Sequence, residues 1–217
     1  MSRARKEFED QHTVYHEYRL WVACNLMATV VERQVRSPST RTPVFLEAGV
    51  GMGMTLYVFS SWLANIPDQR LNSAFRNSQY IGLDTFEGID LSLITPALRK
   101  RYRSKTVPYG GTTLDVAHRR FSHLPNVSFV KGSIPAILEQ VSGIQPDWLH
   151  IDLNNPAPEV ATLRSLVPNM TKGSMVLLDD YGFQSARDQF EAANQVLSSM
   201  GFQRPITLPT GQGLLLI

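Results

Sequence analysis

Val44-Phe45-Leu46-Glu47-Ala48-Gly49-Val50-Gly51-Met52-Gly53, continued by Met54-Thr55-Leu56-Tyr57, decides how the rest of the chain is read. An apolar run closes on an acid, glycine then takes every second position, and residues of helical character follow. This is the pattern of a strand, a tight loop and a helix. Glycine serves where the backbone needs positive φ or where a ligand approaches with no Cβ in the way. The helix beyond offers unpaired N–H groups at its N-terminus. In the dinucleotide-binding frame G-x-G-x-x-G the positions are Gly49, Gly51 and Met54, so the third glycine is missing. The order present, E-x-G-x-G-x-G, leaves a nucleoside-bearing ligand and a plain glycine turn both open.

Upstream of this stretch, Phe8, Val14, Tyr15, Tyr18, Trp21, Val22, Met27, Val30 and Val31 recur at near-helical spacing. They predict one long helix, or two, over residues 7–33, packed against the core or on a partner copy. Residues 37–43, rich in Ser, Thr and Pro, are the connector. Downstream, a helix is expected over 55–64 and a second strand at 80–84, ending in Asp84. From there to Thr112 runs a polar stretch bearing Pro and Gly. A connection of that length is a lid or binding loop, or it holds a helix of its own starting at Pro96. Helices at 114–122 and 134–141 flank a third strand at 127–131. A fourth strand, 147–152, ends in Asp152, with a helix predicted over 158–167. A fifth strand, 174–180, ends in Asp179 and Asp180. After a helix at 188–200 the chain closes with Ile206-Thr207-Leu208 and Leu214 to Ile217 around Pro209-Thr210-Gly211-Gln212-Gly213, a hairpin by its turn chemistry. Strands alternating with helices predict an α/β fold, a parallel doubly wound sheet with helices on both faces.

The 217 residues, 43% of them hydrophobic, suffice for one sizeable core, so one domain is expected over 1–217, with an N-terminal helical segment at 1–36 and the core at 44–217. A net charge of +2 does not mark a nucleic-acid binder. The cluster Arg99, Lys100, Arg101, Arg103 and Lys105 reads as a solvated helical face. Cys24, the one cysteine, allows no intramolecular disulfide and no zinc cluster, which favours a reducing, cytoplasmic setting. No stretch has the roughly 18 apolar residues of a membrane span. Glu7, Glu9 and Asp10 stand where a signal peptide would be apolar.

In open α/β sheets ligands bind beyond the carboxyl ends of the strands. Four strands end in or beside acids on that rim: Glu47, Asp84, Asp152, and the pair Asp179 and Asp180. Asp84 suits the two hydroxyls of a ribose. It lies further from the glycine loop than the usual interval, and the insertion from Pro67 to Asn77 accounts for the excess. Glu47 would either fix the backbone amides of the loop or meet the cationic end of a cofactor. Asp152, Asp179 and Asp180, from adjacent strands, would repel unless protonated or holding a cation. Hard oxygen ligands without Cys or His suit Mg²⁺ or another divalent cation, which would lower the pKa of a substrate hydroxyl.

The glycine stretch resembles the first motif of class I S-adenosylmethionine-dependent methyltransferases, and a terminal hairpin in a parallel sheet marks their variant of the doubly wound, Rossmann-like fold. Asp84-Thr85-Phe86-Glu87-Gly88, Lys131-Gly132-Ser133, His150-Ile151-Asp152-Leu153-Asn154 and Leu178-Asp179-Asp180-Tyr181-Gly182 stand in the order seen in the macrocin O-methyltransferase (TylF-like) family. The resemblance runs from about Val44 to the C-terminus. It implies S-adenosylmethionine- and Mg²⁺-dependent methylation of a hydroxyl on a small acceptor, such as a sugar of a natural product. By motif position Asp152, Asp179 and Asp180 are the implied metal ligands, and Gly49 and Asp84 the implied cofactor contacts, with Ser133 near the adenine end; Gly51, Gly53 and Glu47, from the same glycine stretch, are further candidate cofactor contacts. The family's second aspartate, its proposed general base, is here Asn154, and the lysine used by catechol O-methyltransferase falls at Asn155. Asn cannot take a proton at neutral pH. The catalytic candidates are therefore Asp152, His150 and Asn154, with His118 and His123 behind them. A cofactor-binding protein without catalysis and an NAD-binding enzyme are the alternative readings.

Overall fold

The computed structural model describes residues 3–95, 98–99 and 112–217, with side chains from residue 16 onward. The helix expected from Pro96 and most of the basic cluster lie outside the described residues. Helix α1 (Arg3–Arg36) is continuous. It is followed by β1 (Val44–Ala48), α2 (Met54–Asn65), α3 (Gln69–Arg76), β2 (Gln79–Asp84), α4 (Leu114–Phe121), β3 (Val127–Lys131), β4 (Trp148–Ile151), α5 (Pro156–Leu166), β5 (Met175–Leu178), α6 (Arg187–Ser199), β6 (Ile206–Thr207) and β7 (Gly213–Leu216). The strands form a seven-stranded sheet in the order β3-β2-β1-β4-β5-β7-β6. β1 to β5 are parallel, whereas β7 runs antiparallel to both β5 and β6. The doubly wound sheet with an antiparallel end is thus the fold of this chain.

Side chains alternate across a strand, and here the alternation separates two cores. Leu46, Ala48, Ile81, Leu83, Leu149, Ile151, Val176 and Leu178 pack with residues of α5 and α6 on one face. Phe45, Tyr80, Trp148, Met175 and Leu177 pack on the other face with Ala23, Met27 and Val30 of α1, Leu56 and Phe59 of α2, and Phe75 of α3. A sheet buried on both sides explains why its strands read as almost unbroken apolar runs. Phe45, Phe59, Phe75 and Trp148 bind the second face together, with the Phe59 and Phe75 rings 5.2 Å apart edge to face.

Three predicted elements differ. The insertion at 67–77 is a helix, α3, whose N-cap Asp68 accepts a hydrogen bond from the Arg70 N–H at 3.1 Å. The helix predicted at 134–141 reduces to a 3₁₀ turn, Leu138–Val141. α5 begins at Pro156 rather than Pro158, because Asn155 caps it through the Ala157 N–H at 3.1 Å and proline fits the first helical position.

Two arginines show how α1 crosses the sheet. Near its end, Arg33 donates to the Gly173 carbonyl at 2.7 Å and pairs with Asp147 at 3.4 Å, both at the amino edge of the strands. Earlier, Arg19 reaches Asp179 and Asp180 at the carboxyl edge. Fourteen helical residues cover about 21 Å, enough to pass a strand of four or five residues at about 3.3 Å each. α1 therefore lies antiparallel to β4 and β5 and overhangs the rim where the acids stand.

Candidate active site

Backbone bonds that continue past the strand ends set the rim. The Gly49 N–H bonds to the Leu83 carbonyl at 2.8 Å, the Asp152 N–H to Ala48 at 2.8 Å, and the Asp179 N–H to Ile151 at 3.0 Å. The acids are thus held by the sheet rather than by loops. At Gly49 φ is +91°, and a Cβ would overlap the backbone carbonyl of Asp152, so the glycine turn and the end of β4 lie against one another. At Gly51, φ +53°, a Cβ would meet nothing. Its N–H donates to Asp84 at 2.8 Å, and the other Asp84 oxygen accepts from the Phe86 N–H at 2.7 Å.

The rim opens on a cleft of about 790 Å³ lined by Glu47, Gly49, Gly51, Asp84, Ser133, His150, Asp152, Asn154, Asp179 and Asp180, and roofed by His16, Arg19, Leu20 and Ala23 of α1. The structure therefore brings together every site residue expected from the sequence except Gly53 and the two outlying histidines, His118 and His123, which do not line the cleft. Gly53 stands outside the lining, in the left-handed region at the N-cap of α2, with the Phe121 ring where its Cβ would be. Ser133 donates its hydroxyl to Asp90. That bond and those from Ser92 hold the Asp90 carboxyl below the usual range.

Glu47 does not hold the glycine turn; Asp84 does. Strand register sets Glu47 beside His150 on the same face as Phe45 and Trp148. Its carboxylate lies 3.0 Å from His150 Nδ1 and accepts the phenol hydrogen of buried Tyr80. Burial, then the charge of Glu47, raises the Tyr80 phenol well above its ordinary pKa, so it stays a donor. His150 Nε2 is buried without a hydrogen-bond partner among the described residues, 3.6 Å from Asp179 Oδ1.

The three rim aspartates have different surroundings. Asp152 is half-buried and accepts from the Asn154 side-chain amide at 2.8 Å. Burial pushes its carboxyl up to about 6, with the charge of Asp180 adding to the effect. Asp179 takes the Arg19 guanidinium, with Nε at 3.3 Å, and the Gln212 amide at 2.8 Å. Asp180 shares the same Arg19 Nη2 at 3.1 Å. Arg19 and Gln212 thus bring donors to the Asp179 and Asp180 carboxylates. Among the described residues no three His, Cys, Asp or Glu side chains gather as a metal cage. The expected set of Asp152, Asp179 and Asp180 does not fit a divalent ion as folded, because the face the last two share is filled by a guanidinium.

Sequence reasoning missed Arg19 and treated Gln212 as part of a plain hairpin turn. The signal for Arg19 was present: it lies four residues before Ala23 and eight before Met27 on the buried stripe of α1. A cation on such a stripe needs an acid opposite. Gln212, fully buried at the hairpin turn, also contacts the Arg19 carbonyl at 3.4 Å.

A mostly parallel Rossmann-like sheet with an antiparallel end, and a cleft at its carboxyl rim joining a glycine turn to acids, defines a class of ligand-binding α/β enzymes. Within that class the chain belongs to the methyltransferase-domain family, which matches residues 46–181. A search of curated proteins finds no match. Solved structures share the fold at low identity. The O-methyltransferase NovP is 16% identical, with a TM-score of 0.63, over 89% of this chain and 78% of NovP. The calicheamicin methyltransferase CalS11 is 19% identical, with a TM-score of 0.59, over 88% of this chain and 78% of the other. The O-methyltransferase TomG from Streptomyces achromogenes, in complex with SAM, is 14% identical, with a TM-score of 0.53, over 90% of this chain and 79% of the other. No helix among the described residues is long and apolar enough to cross a membrane.

Proposed function

We propose that this methyltransferase forms one domain and transfers the methyl group of S-adenosylmethionine to a hydroxyl of a small acceptor, with Asp152 as the general base. The observation that carries this reading is the contact between the two halves of the cleft: Gly49 lies against the Asp152 backbone, and Gly51 is anchored on Asp84. Bound S-adenosylmethionine supplies a methyl group on a sulfonium centre, open to displacement by an oxygen nucleophile.

The residues present fit that cofactor. The open space at Gly51 admits a ligand against the backbone, and Asp84 retains acceptor capacity for ribose hydroxyls after its two backbone bonds. Ser133 and Asp90 stand on the same wall of the cleft, suited to the adenine end. The proton of the acceptor hydroxyl passes to the Asp152 carboxylate. Asn154 cannot take that proton but turns its amide to one Asp152 oxygen, which fixes the carboxylate and leaves the other oxygen for the acceptor. His150, clamped by Glu47, is a positioning residue in the floor below. No step runs through a divalent ion. The resemblance of these motifs to those of macrocin O-methyltransferases supports a sugar or other natural-product hydroxyl, and the apo structure of CalS11, a TDP-rhamnose 3'-O-methyltransferase, has the same fold.

Calorimetric titration with S-adenosylmethionine and transfer of labelled methyl to a panel of hydroxylated acceptors test the reading. Asp152→Asn is expected to bind the cofactor as wild type does and to lose transfer by about 10²- to 10⁴-fold. Wild-type protein that binds no S-adenosylmethionine, with or without Mg²⁺, refutes the function; an active Asp152→Asn refutes the base. Methyl transfer to any acceptor rejects a binding protein without catalysis.

A further inference from the structure

The sequence motifs assign a divalent ion to the rim, yet the folded rim already holds a cation. Arg19 Nη2 contacts Asp179 Oδ2, lies 3.1 Å from Asp180 Oδ1, and donates to the Asp179 carbonyl at 3.0 Å. Arg19, Asp179 and Asp180 side chains are only 13%, 12% and 14% exposed, so the pair is little screened by water. The Phe183 ring backs the guanidinium at 5.2 Å. We propose that Arg19 is the resident cation of this rim, standing in the place of a divalent ion, and that the chain excludes Mg²⁺ and transfers methyl groups without it.

Three features support the assignment. A guanidinium offers five fixed donors and no acceptor, and it stays charged at any working pH. The Asp179 oxygens that a metal would need are already engaged by Arg19 and by the Gln212 amide. The backbone that carries Arg19 is fixed, because Ala23, Met27 and Val30 on the same stripe of α1 are buried against the sheet, and the guanidinium is tied to the Asp179 carbonyl and to both carboxylates. A divalent ion would have to approach a positive charge or displace the guanidinium from both aspartates. Of the three aspartates, only Asp152 is outside the guanidinium's hydrogen bonds, which leaves it to take the acceptor's proton. Arg19 acts through Asp179 and Asp180 and is a positioning residue.

Only the claim about catalysis rests on the methyltransferase reading; ion exclusion can be measured without turnover. Mn²⁺ is titrated into the full chain, and free Mn²⁺ is followed by electron paramagnetic resonance. Wild type is expected to leave the free-ion signal unchanged. Arg19→Ala is expected to retain Mn²⁺ at least about tenfold more tightly, a change of about 1.4 kcal/mol, and Arg19→Ala with Asp179→Asn to lose it again. Wild type that binds Mn²⁺ through Asp179, shown by loss of binding in Asp179→Asn, overturns the proposal. So does an Arg19→Ala chain that folds, by circular dichroism, and still excludes Mn²⁺. If Arg19→Ala does not fold, the wild-type titration decides alone. In the transfer assay EDTA should change nothing, and loss of activity that Mg²⁺ restores overturns the catalytic claim. Failure of S-adenosylmethionine to bind would refute the function while leaving the Mn²⁺ result intact.

Discussion

Replacing Gly49 by alanine is expected to damage stability and site together. At Gly49 φ is +91°, a conformation that costs an L-residue about 1–2 kcal/mol. The added Cβ would also overlap the Asp152 carbonyl. That obstacle is backbone, held by the Asp152 N–H bond to Ala48 at 2.8 Å, so no side chain can rotate away. Relief requires the glycine turn and the end of β4 to part, at an overpacking cost of about 1–3 kcal/mol. The sum is about 3 kcal/mol, and for a chain of this size the melting temperature should fall by roughly 6–12 °C. Gly51→Ala is the control. It has positive φ but open space around its Cβ, so it should lose only about 1 kcal/mol of stability. Urea unfolding of both variants, followed by circular dichroism, measures the difference, and transfer should fall further in Gly49→Ala because Asp152 moves. Equal stability for the two variants would refute the close approach of the glycine turn to β4 and the two-part cleft built on it.

Three further outcomes are expected. Asp147→Ala should destabilise the fold by about 2–4 kcal/mol in urea unfolding and leave cofactor affinity of the folded protein unchanged. Buried Asp147 accepts the Val44 N–H at 2.9 Å and pairs with Arg33 and Arg41, and it stands at the edge of the sheet opposite the cleft. Burial pushes the Cys24 thiol up to about 12, with the charge of Glu47 adding to the effect. Native protein should therefore resist alkylation by iodoacetamide at mildly alkaline pH and react at once in urea, with mass spectrometry as the readout. Glu159 is held well above its ordinary pKa chiefly by burial, with Asp180, Asp152 and Asp188 adding and the Gln189 amide at 2.6 Å opposing. The native state then keeps a proton that the unfolded chain releases, so its contribution is full below the ordinary glutamate value and is lost as pH rises. Glu159→Gln should gain stability over wild type between about pH 5 and pH 8. A difference in urea midpoint that does not grow with pH would refute this.

Local chemistry carried most of the fold. The strands were legible because a sheet buried on both faces needs unbroken apolar runs, and the acids that end β2 and β4 were legible as its carboxyl rim. The turn at 49–53 announced its own backbone, since Gly49 and Gly51 adopt positive φ. The helix at 69–76 was hidden because its apolar positions are few, and Phe75 is its one buried side chain. Gly53 was grouped with the site by spacing alone, whereas its place is set by the Phe121 ring from α4, a contact that no local pattern records.

The partners of the acids were not legible. A carboxylate at a strand end accepts from any donor the fold brings near, and the donors here come from far along the chain. Tyr80 and His150 reach Glu47 from neighbouring strands, and Gln212 reaches Asp179 from the terminal hairpin. From its residues alone the sequence determined a two-faced α/β sheet, a glycine turn at its rim, and acids gathered there in want of a counter-charge. Only the tertiary structure decided what that counter-charge is. Arg19 stands 160 residues before Asp179, and the two meet because α1 packs across the sheet and carries Arg19 to the carboxyl end of β5. Spacing within a segment fixes which side chains share a face, but the packing of one segment on another fixes which charges share a site.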